Sequence, residues 1–345
     1  MAMSLLFMDG CSHYDAASIL QKWHSGSATM DSTVRHGAGQ SLLSPVLLRR
    51  NFPSVSEVIV TGAFRVASLA GADQVLCRIF DGTGTPTTQL ELVAQVTTGI
   101  IRVKRGAGGT LIGAVGPAIL ENTWYYFEFG ALIANGVAGK IDVRIHDGTS
   151  MIGSIATTGL DTAASATSTA ADAIVFDSPG NRFQDIELRT GTAYSLSDFN
   201  GDSKIVTLRP AAAGPDADWT IGGSAPASTN HESVDEVLAD ELVTLVSSNT
   251  PTDRDTHELE ELDSTVATVN AVQSVTQWRK DDTAVRAANH SYRNAAGSYF
   301  DSAAFTLPAD WTMDLVPMEL NPDTGLPFTR AEVNPPATWG FLLST

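Results

Sequence analysis

Two cysteines, Cys11 and Cys77, in 345 residues are too few for a disulfide-stapled scaffold and lack the spacing of metal ligands. The chain is therefore expected to fold in a reducing cytoplasm, with both thiols serving as small core residues. Basic residues are scarce as well: 21 Lys and Arg face 39 Asp and Glu, for a net charge of -18. That balance repels a phosphate backbone and disfavours nucleic-acid binding. No apolar run approaches the ~20 residues of a membrane span. The short run Leu5-Leu6-Phe7-Met8 has neither the basic segment nor the cleavage site of a secretory signal. Also missing are a Gly-rich phosphate loop, a G-x-S-x-G elbow, a heptad run and any repeat of fixed period.

What is present points to sheets. Glycine is abundant, at 29 residues, and only 17% of the chain is charged, a composition that suits strands joined by tight turns. From Glu57 onward apolar residues recur at every second position: Val58, Val60, Phe64 and Val66, then Leu90, Leu92, Ala94 and Val96. Ile101 and Val103, Tyr125, Phe127 and Phe129, and Ile141, Val143 and Ile145 continue the pattern. A period of two places one apolar row on one face, as in half-buried antiparallel strands. Between the rows lie turn sequences, Asp81-Gly82-Thr83-Gly84, Gly106-Ala107-Gly108-Gly109, Asn135-Gly136 and Asp147-Gly148, where Gly or Asn supplies positive φ. Short strands at this spacing predict a sandwich or jelly roll.

The length accommodates two domains, and the texture changes at Asp198-Phe199-Asn200-Gly201-Asp202, ahead of a Pro/Ala/Gly stretch over 210–226. A boundary near residue 197 gives domains 1–197 and 198–345. The acidity is uneven across it, with 16 acidic against 13 basic residues before it and 23 against 8 after it. Residues 160–171 are small and polar and read as a long loop. The second half carries weaker strand-like rows at 243–246, 266–275 and 305–307 around an acidic run at 253–263.

Few constellations carry chemistry. Asp198, Asn200 and Asp202 alternate as in a calcium loop, but Ser203 and Arg209 stand where that loop needs Gly and a bidentate Glu. A capped turn between domains is the expectation there. Asp185 and Glu187 share a strand face and could serve a sugar hydrolase only if they faced each other across a cleft. The histidines, His13, His24, His36, His146, His231, His257 and His290, show no ligand spacing and are expected at the surface or in loops. Trp23, Trp124, Tyr125, Tyr126, Trp219, Trp278, Trp311 and Trp339 could stack on sugars, against the plainer reading of core packing. No catalytic, cofactor-binding or metal-binding residue is assigned.

The opening Leu5-Leu6-Phe7-Met8-Asp9-Gly10-Cys11-Ser12-His13-Tyr14, with Gly26, Arg35-His36-Gly37 and Asp185-Ile186-Glu187-Leu188, resembles the N-terminal domain of a bacteriophage structural protein family. That domain is similar to the concanavalin A-like, laminin G-like jelly roll. The resemblance continues through Asp198-Phe199-Asn200-Gly201-Asp202-Ser203-Lys204-Ile205, Leu208-Arg209-Pro210, Trp219-Thr220 and His231-Glu232-Ser233-Val234-Asp235-Glu236. It extends over Arg279-Lys280-Asp281-Asp282 and Asn321-Pro322-Asp323-Thr324-Gly325-Leu326-Pro327-Phe328-Thr329-Arg330-Ala331-Glu332-Val333-Asn334, and so over nearly the whole chain.

The resemblance implies an all-β protein of two tandem β-sandwich domains, the first a concanavalin A-like jelly roll. It implies a non-enzymatic virion structural protein, a tail-associated or fibre-like homo-oligomer that aids attachment to the host surface and is assembled in the bacterial host cytoplasm. Its partners would be other virion proteins of tail or capsid and a host-surface glycan, with no cofactor, nucleic acid or membrane insertion. One alternative is a capsid decoration or head-fibre protein that stabilises the head. Another is a carbohydrate-binding or carbohydrate-processing protein.

Overall fold

The computed structural model describes residues 3–13, 15–36, 39–82, 87–165, 168–236 and 240–344. Thr83 and Gly84 of the first turn, two residues of the 160–171 loop, and Tyr14 and Gly37 of the family resemblance lie outside the described residues. The chain divides into two compact units, Met1–Ile205 and Val206–Thr345. Residues 198–205, placed in the second half on sequence texture, belong to the first unit.

The first unit is a jelly-roll sandwich of thirteen antiparallel strands. They are β1 (Ser4–Asp9), β2 (Ser25–Asp31), β3 (Ser41–Val55), β4 (Glu57–Arg65), β5 (Gln74–Asp81), β6 (Thr87–Ala94) and β7 (Ile101–Arg105). There follow β8 (Thr110–Ile112), β9 (Trp124–Leu132), β10 (Gly139–His146), β11 (Met151–Leu160), β12 (Ala171–Phe176) and β13 (Arg182–Gly191). The strands run β11-β10-β9-β4-β13-β3-β12-β5-β6-β7-β8, with β1 against β13 and β2 against β3. The fifteen-residue β3 serves both halves of this array: Leu42 and Leu43 pair with β13, while residues 48–51 and Val55 pair with β12.

The apolar rows meet in the core. Val60 and Phe64 of β4 pair with Phe129 and Tyr125 of β9, and Val58 and Phe127 continue the two rows; all but Tyr125 are fully buried. Phe176 of β12 meets Phe183 of β13 edge to face at 5.0 Å. Such rings bury large areas and add pair energy beyond that area.

The half-buried expectation fails for the central strands. Seven consecutive residues of β4, seven of β9 and eight of β13 are buried. Their second face, which carries Thr61, Tyr126, Glu128 and Glu187, is covered by the chain's own residues 194–205. Tyr194 and Phe199 pack there with Met3 and Ile59. Gly130 of β9 permits the close approach, since a Cβ on it would lie 2.7 Å from the Tyr194 ring.

The second unit is also all-β. Its main sheet orders β14 (Pro210–Ala217), β17 (Arg254–Leu259), β23 (Thr338–Leu343), β19 (Ala287–Arg293) and β20 (Tyr299–Asp301), with β21 (Phe305–Thr306) beside β19. Two ribbons complete it, β15 (Thr220–Gly222) with β16 (Leu245–Ser247) and β18 (Val272–Trp278) with β22 (Thr312–Met318). Trp339, Phe341 and Leu343 alternate along β23 on one face. Trp278, at one end of the second ribbon, packs with Phe341 and Leu343, while Val272 and Met318, at the other end, pack with Trp339. The ribbon thus forms the second layer.

Candidate functional site

A cavity of about 460 Å³ opens in the first unit, within the ~300–1,000 Å³ typical of ligand sites. Arg35, His36, His146, Gly148, Thr149, Ser150, Asp202, Ser203 and Lys204 line it. Each group arrives by a different route. β10 ends on His146, and the turn after it, closed by Asp147 accepting from the Thr149 and Ser150 amides at 2.9 Å each, presents residues 148–150. Arg35 and His36 follow β2, and Asp202, Ser203 and Lys204 belong to the covering segment.

Beneath the cavity lies the polar face of the sheet. His146 Nε2 bonds Glu128 Oε2 at 3.0 Å, and Glu128 is fully buried. Its other oxygen, Oε1, accepts the Gly201 amide at 2.7 Å. His146 Nδ1 has no hydrogen-bond partner among the described residues. A carboxylate on one ring nitrogen fixes the tautomer and leaves the other nitrogen available to act as a base. Tyr126, also fully buried, donates to Thr61 Oγ1 at 2.8 Å, and burial holds its phenol well above the usual range. It is therefore held as a neutral phenol, and it does not line the cavity.

Arg35 is the most connected group. Its amide donates to Gln184 Oε1 at 2.9 Å, and its guanidinium lies over the Tyr126 ring at 5.1 Å. One terminal nitrogen donates to the Ser203 carbonyl at 3.2 Å and lies 3.7 Å from Asp185 Oδ2, while the other pairs with Asp202. His36 is held neutral: burial, with the charges of Arg35 and Lys204, lowers it to about 4.

The sequence candidates fare unevenly. Asp185 and Glu187 do not face each other across a cleft. Asp185 sits at a β-bulge with φ 53 and accepts the Ile205 amide at 3.0 Å. Glu187 is paired with Arg189 and accepts from Asn200 at 3.4 Å. Neither lines the cavity. Asp198, Asn200 and Asp202 do not converge on one point: Asp198 caps its own turn through Ser195, Asn200 turns to Glu187 and Asp202 to Arg35. Among the described residues no group of three His, Cys, Asp or Glu could hold a metal.

Trp23, Trp219, Trp278 and Trp339 are buried core residues and cannot stack on a sugar. The surface expectation for histidines fails at His146, His257 and His290, which are buried in strands. His290 bonds Ser274 Oγ at 2.6 Å and Asp314 at 3.0 Å, which explains its tolerance in the core.

Glu128 went unread in the sequence, and His146 was read only as a surface or loop histidine. The one available signal was an acid set inside the aromatic strand Trp124-Tyr125-Tyr126-Phe127-Glu128-Phe129, since a buried carboxylate needs a partner.

Asp185 yields a pH prediction. Burial pushes its carboxyl up to about 6 from 3.8, against the opposing pull of the Ile205 amide and Arg35. The folded chain then holds this proton more tightly than the unfolded chain. The contribution is fully present below the unfolded value and is lost as pH rises through the folded one. Stability of the first unit is expected to fall by roughly 2–3 kcal/mol across that window. Asp185→Asn, which tolerates the left-handed backbone, should flatten the dependence. Urea melts at about pH 4 and about pH 7 of both proteins measure it.

No family model and no curated protein matches the chain. Solved structures do. An alginate lyase of family PL-14 from Aplysia kurodai is 11% identical, covers 55% of this chain and 100% of its own, and has a TM-score of 0.39. An endo-β-1,4-glucuronan lyase from the fungus Trichoderma reesei is 10% identical, covers 55% and 97%, and has a TM-score of 0.37. The expectation of a non-enzymatic virion structural protein, whether on tail or head, is corrected at this point. These two structures are polysaccharide lyases, and neither is a phage protein.

Proposed function

We propose that the first unit processes acidic polysaccharide in the cavity around His146. The observation that supports this reading is the placement of Arg35 and Lys204 beside His146 around one cavity of a chain whose net charge is -18. The slight likeness to the lyases carries no part of the argument.

The chemistry such a set suits is β-elimination beside a uronate. A cation next to the sugar carboxylate stabilises the charge that develops when the neighbouring C5 proton leaves. His146, held by Glu128, takes that proton. The electron pair forms the C4–C5 double bond, and the glycosidic oxygen departs from C4. It collects a proton from the imidazolium just formed, which restores the neutral base.

The test is incubation of the full chain with alginate, glucuronan and a neutral glucan while following the ultraviolet absorbance of the unsaturated sugar end. A rise confined to the acidic polymers is expected. No rise and no shortening of any acidic polymer would overturn the proposal.

A further inference from the structure

The cavity already contains a carboxylate supplied by the chain itself. Residues 195–205 cross the polar face of β9, β4 and β13 and are fastened at a series of points. Arg144 donates to the Leu196 carbonyl at 3.2 Å and lies over the Phe199 ring at 5.0 Å. Asn200 reaches Glu187, the Gly201 amide reaches Glu128, and the Ile205 amide reaches Asp185. In the middle of this span the Asp202 carboxylate pairs with Arg35, which leaves the Arg35 side chain only 4% exposed.

Three features set this segment apart from ordinary packing. It covers a face that carries buried carboxylates, and it brings donors to them beside the packed Phe199 ring. Its bonds fall on carboxylates of the sheet, on Arg144 and on Arg35 at the cavity. Its central contact places a carboxylate against an arginine, the pairing an acidic sugar would make.

We infer that residues 195–205 are a tethered occupant of the substrate groove, with Asp202 standing where a uronate carboxylate pairs with Arg35. This rests on the acidic-polysaccharide reading and goes beyond it by assigning the carboxylate subsite and a self-competition at it. A polymer entering the groove displaces Asp202 from Arg35, and the Gly201 amide leaves Glu128 as the segment lifts. Its apparent affinity is lowered by the fraction of time the segment stays down.

The closing experiment measures binding of oligouronates and of neutral cello-oligosaccharides to the full chain and to Asp202→Asn by calorimetry. Asp202→Asn is expected to bind oligouronates about tenfold more tightly, because it loses a competing charge, with binding of the neutral sugar unchanged. Arg35→Gln added to Asp202→Asn should cancel the gain. In the unaltered chain, exchange of the Gly201 amide with deuterium should speed up when oligouronate is bound.

If Asp202→Asn melts earlier but binds oligouronates no better, and Gly201 exchange is unmoved, the segment is a structural latch and the inference falls while the acidic-sugar reading stands. If neither protein binds any oligouronate, both fall.

Discussion

His146→Ala is expected to reduce cleavage of acidic polysaccharide by roughly 10²–10⁴-fold, the range for loss of a positioned acid–base group, with little change in substrate binding. His146 is the one group at the cavity that has a ring nitrogen fixed by a buried carboxylate and a second nitrogen free of hydrogen bonds among the described residues. The substitution leaves Glu128 with the Gly201 amide but without its imidazole, so part of the change will be felt as stability. Glu128→Gln separates the two effects. It preserves the shape and a hydrogen bond to the ring while removing the charge that stabilises an imidazolium. Turnover should fall and its pH profile shift, with KM nearly constant. An unaltered rate in His146→Ala would assign the proton transfer elsewhere.

The second large effect is structural. Trp23 is 1% exposed and meets Phe7 and Phe176 edge to face at 5.2 and 5.9 Å. Its indole nitrogen donates to Asp9 Oδ2 at 2.8 Å. Trp23→Ala is expected to cost about 3–5 kcal/mol through the cavity it leaves. Trp23→Phe keeps most of the packing and removes only the donor to a carboxylate that retains Lys22, at 3.3 Å, and the Cys11 amide, at 2.9 Å. It should therefore cost about 1–3 kcal/mol, the range for one lost bond to a buried acceptor. Denaturant melts of the two variants compare these values. Equal losses would mean that the hydrogen bond, not the packing, dominates at this position.

These two residues show how unevenly the molecule can be read from its chain. The strand rows around Leu90, Phe127 and Val143 were legible because a period of two survives wherever one face is apolar. The polar face of the same strands was not, because nothing local indicates that residues 194–205 will lie over it. Glu128 and His146 are eighteen positions apart and become neighbours only through the β9–β10 register that sets His146 opposite Tyr126. The boundary expected at 197 moved to 205 for a related reason. The polar stretch Asp198-Phe199-Asn200-Gly201-Asp202 looks like a linker, yet Asn200, Gly201 and Asp202 are anchored on buried carboxylates and an arginine supplied from elsewhere. In the second unit the rows were weak because Pro210–Ala217 alternates small half-buried residues with exposed ones, leaving little hydrophobic contrast to read.

The strand order has a further consequence, for synthesis. β13 is the last strand of the first unit in the chain, yet it lies at the middle of the sheet, between β4 and β3 and against β1. During translation β4 and β9 can pair early, but the opposite side of β4 stays an open hydrogen-bonding edge until residues 182–191 emerge. Closure then joins segments more than a hundred residues apart, as in the pairing of Leu188 with Val60. Contacts of that separation make folding slow. A chain interrupted before β13 would present a nearly finished sheet with a long apolar edge, the form in which this protein would be most prone to aggregate.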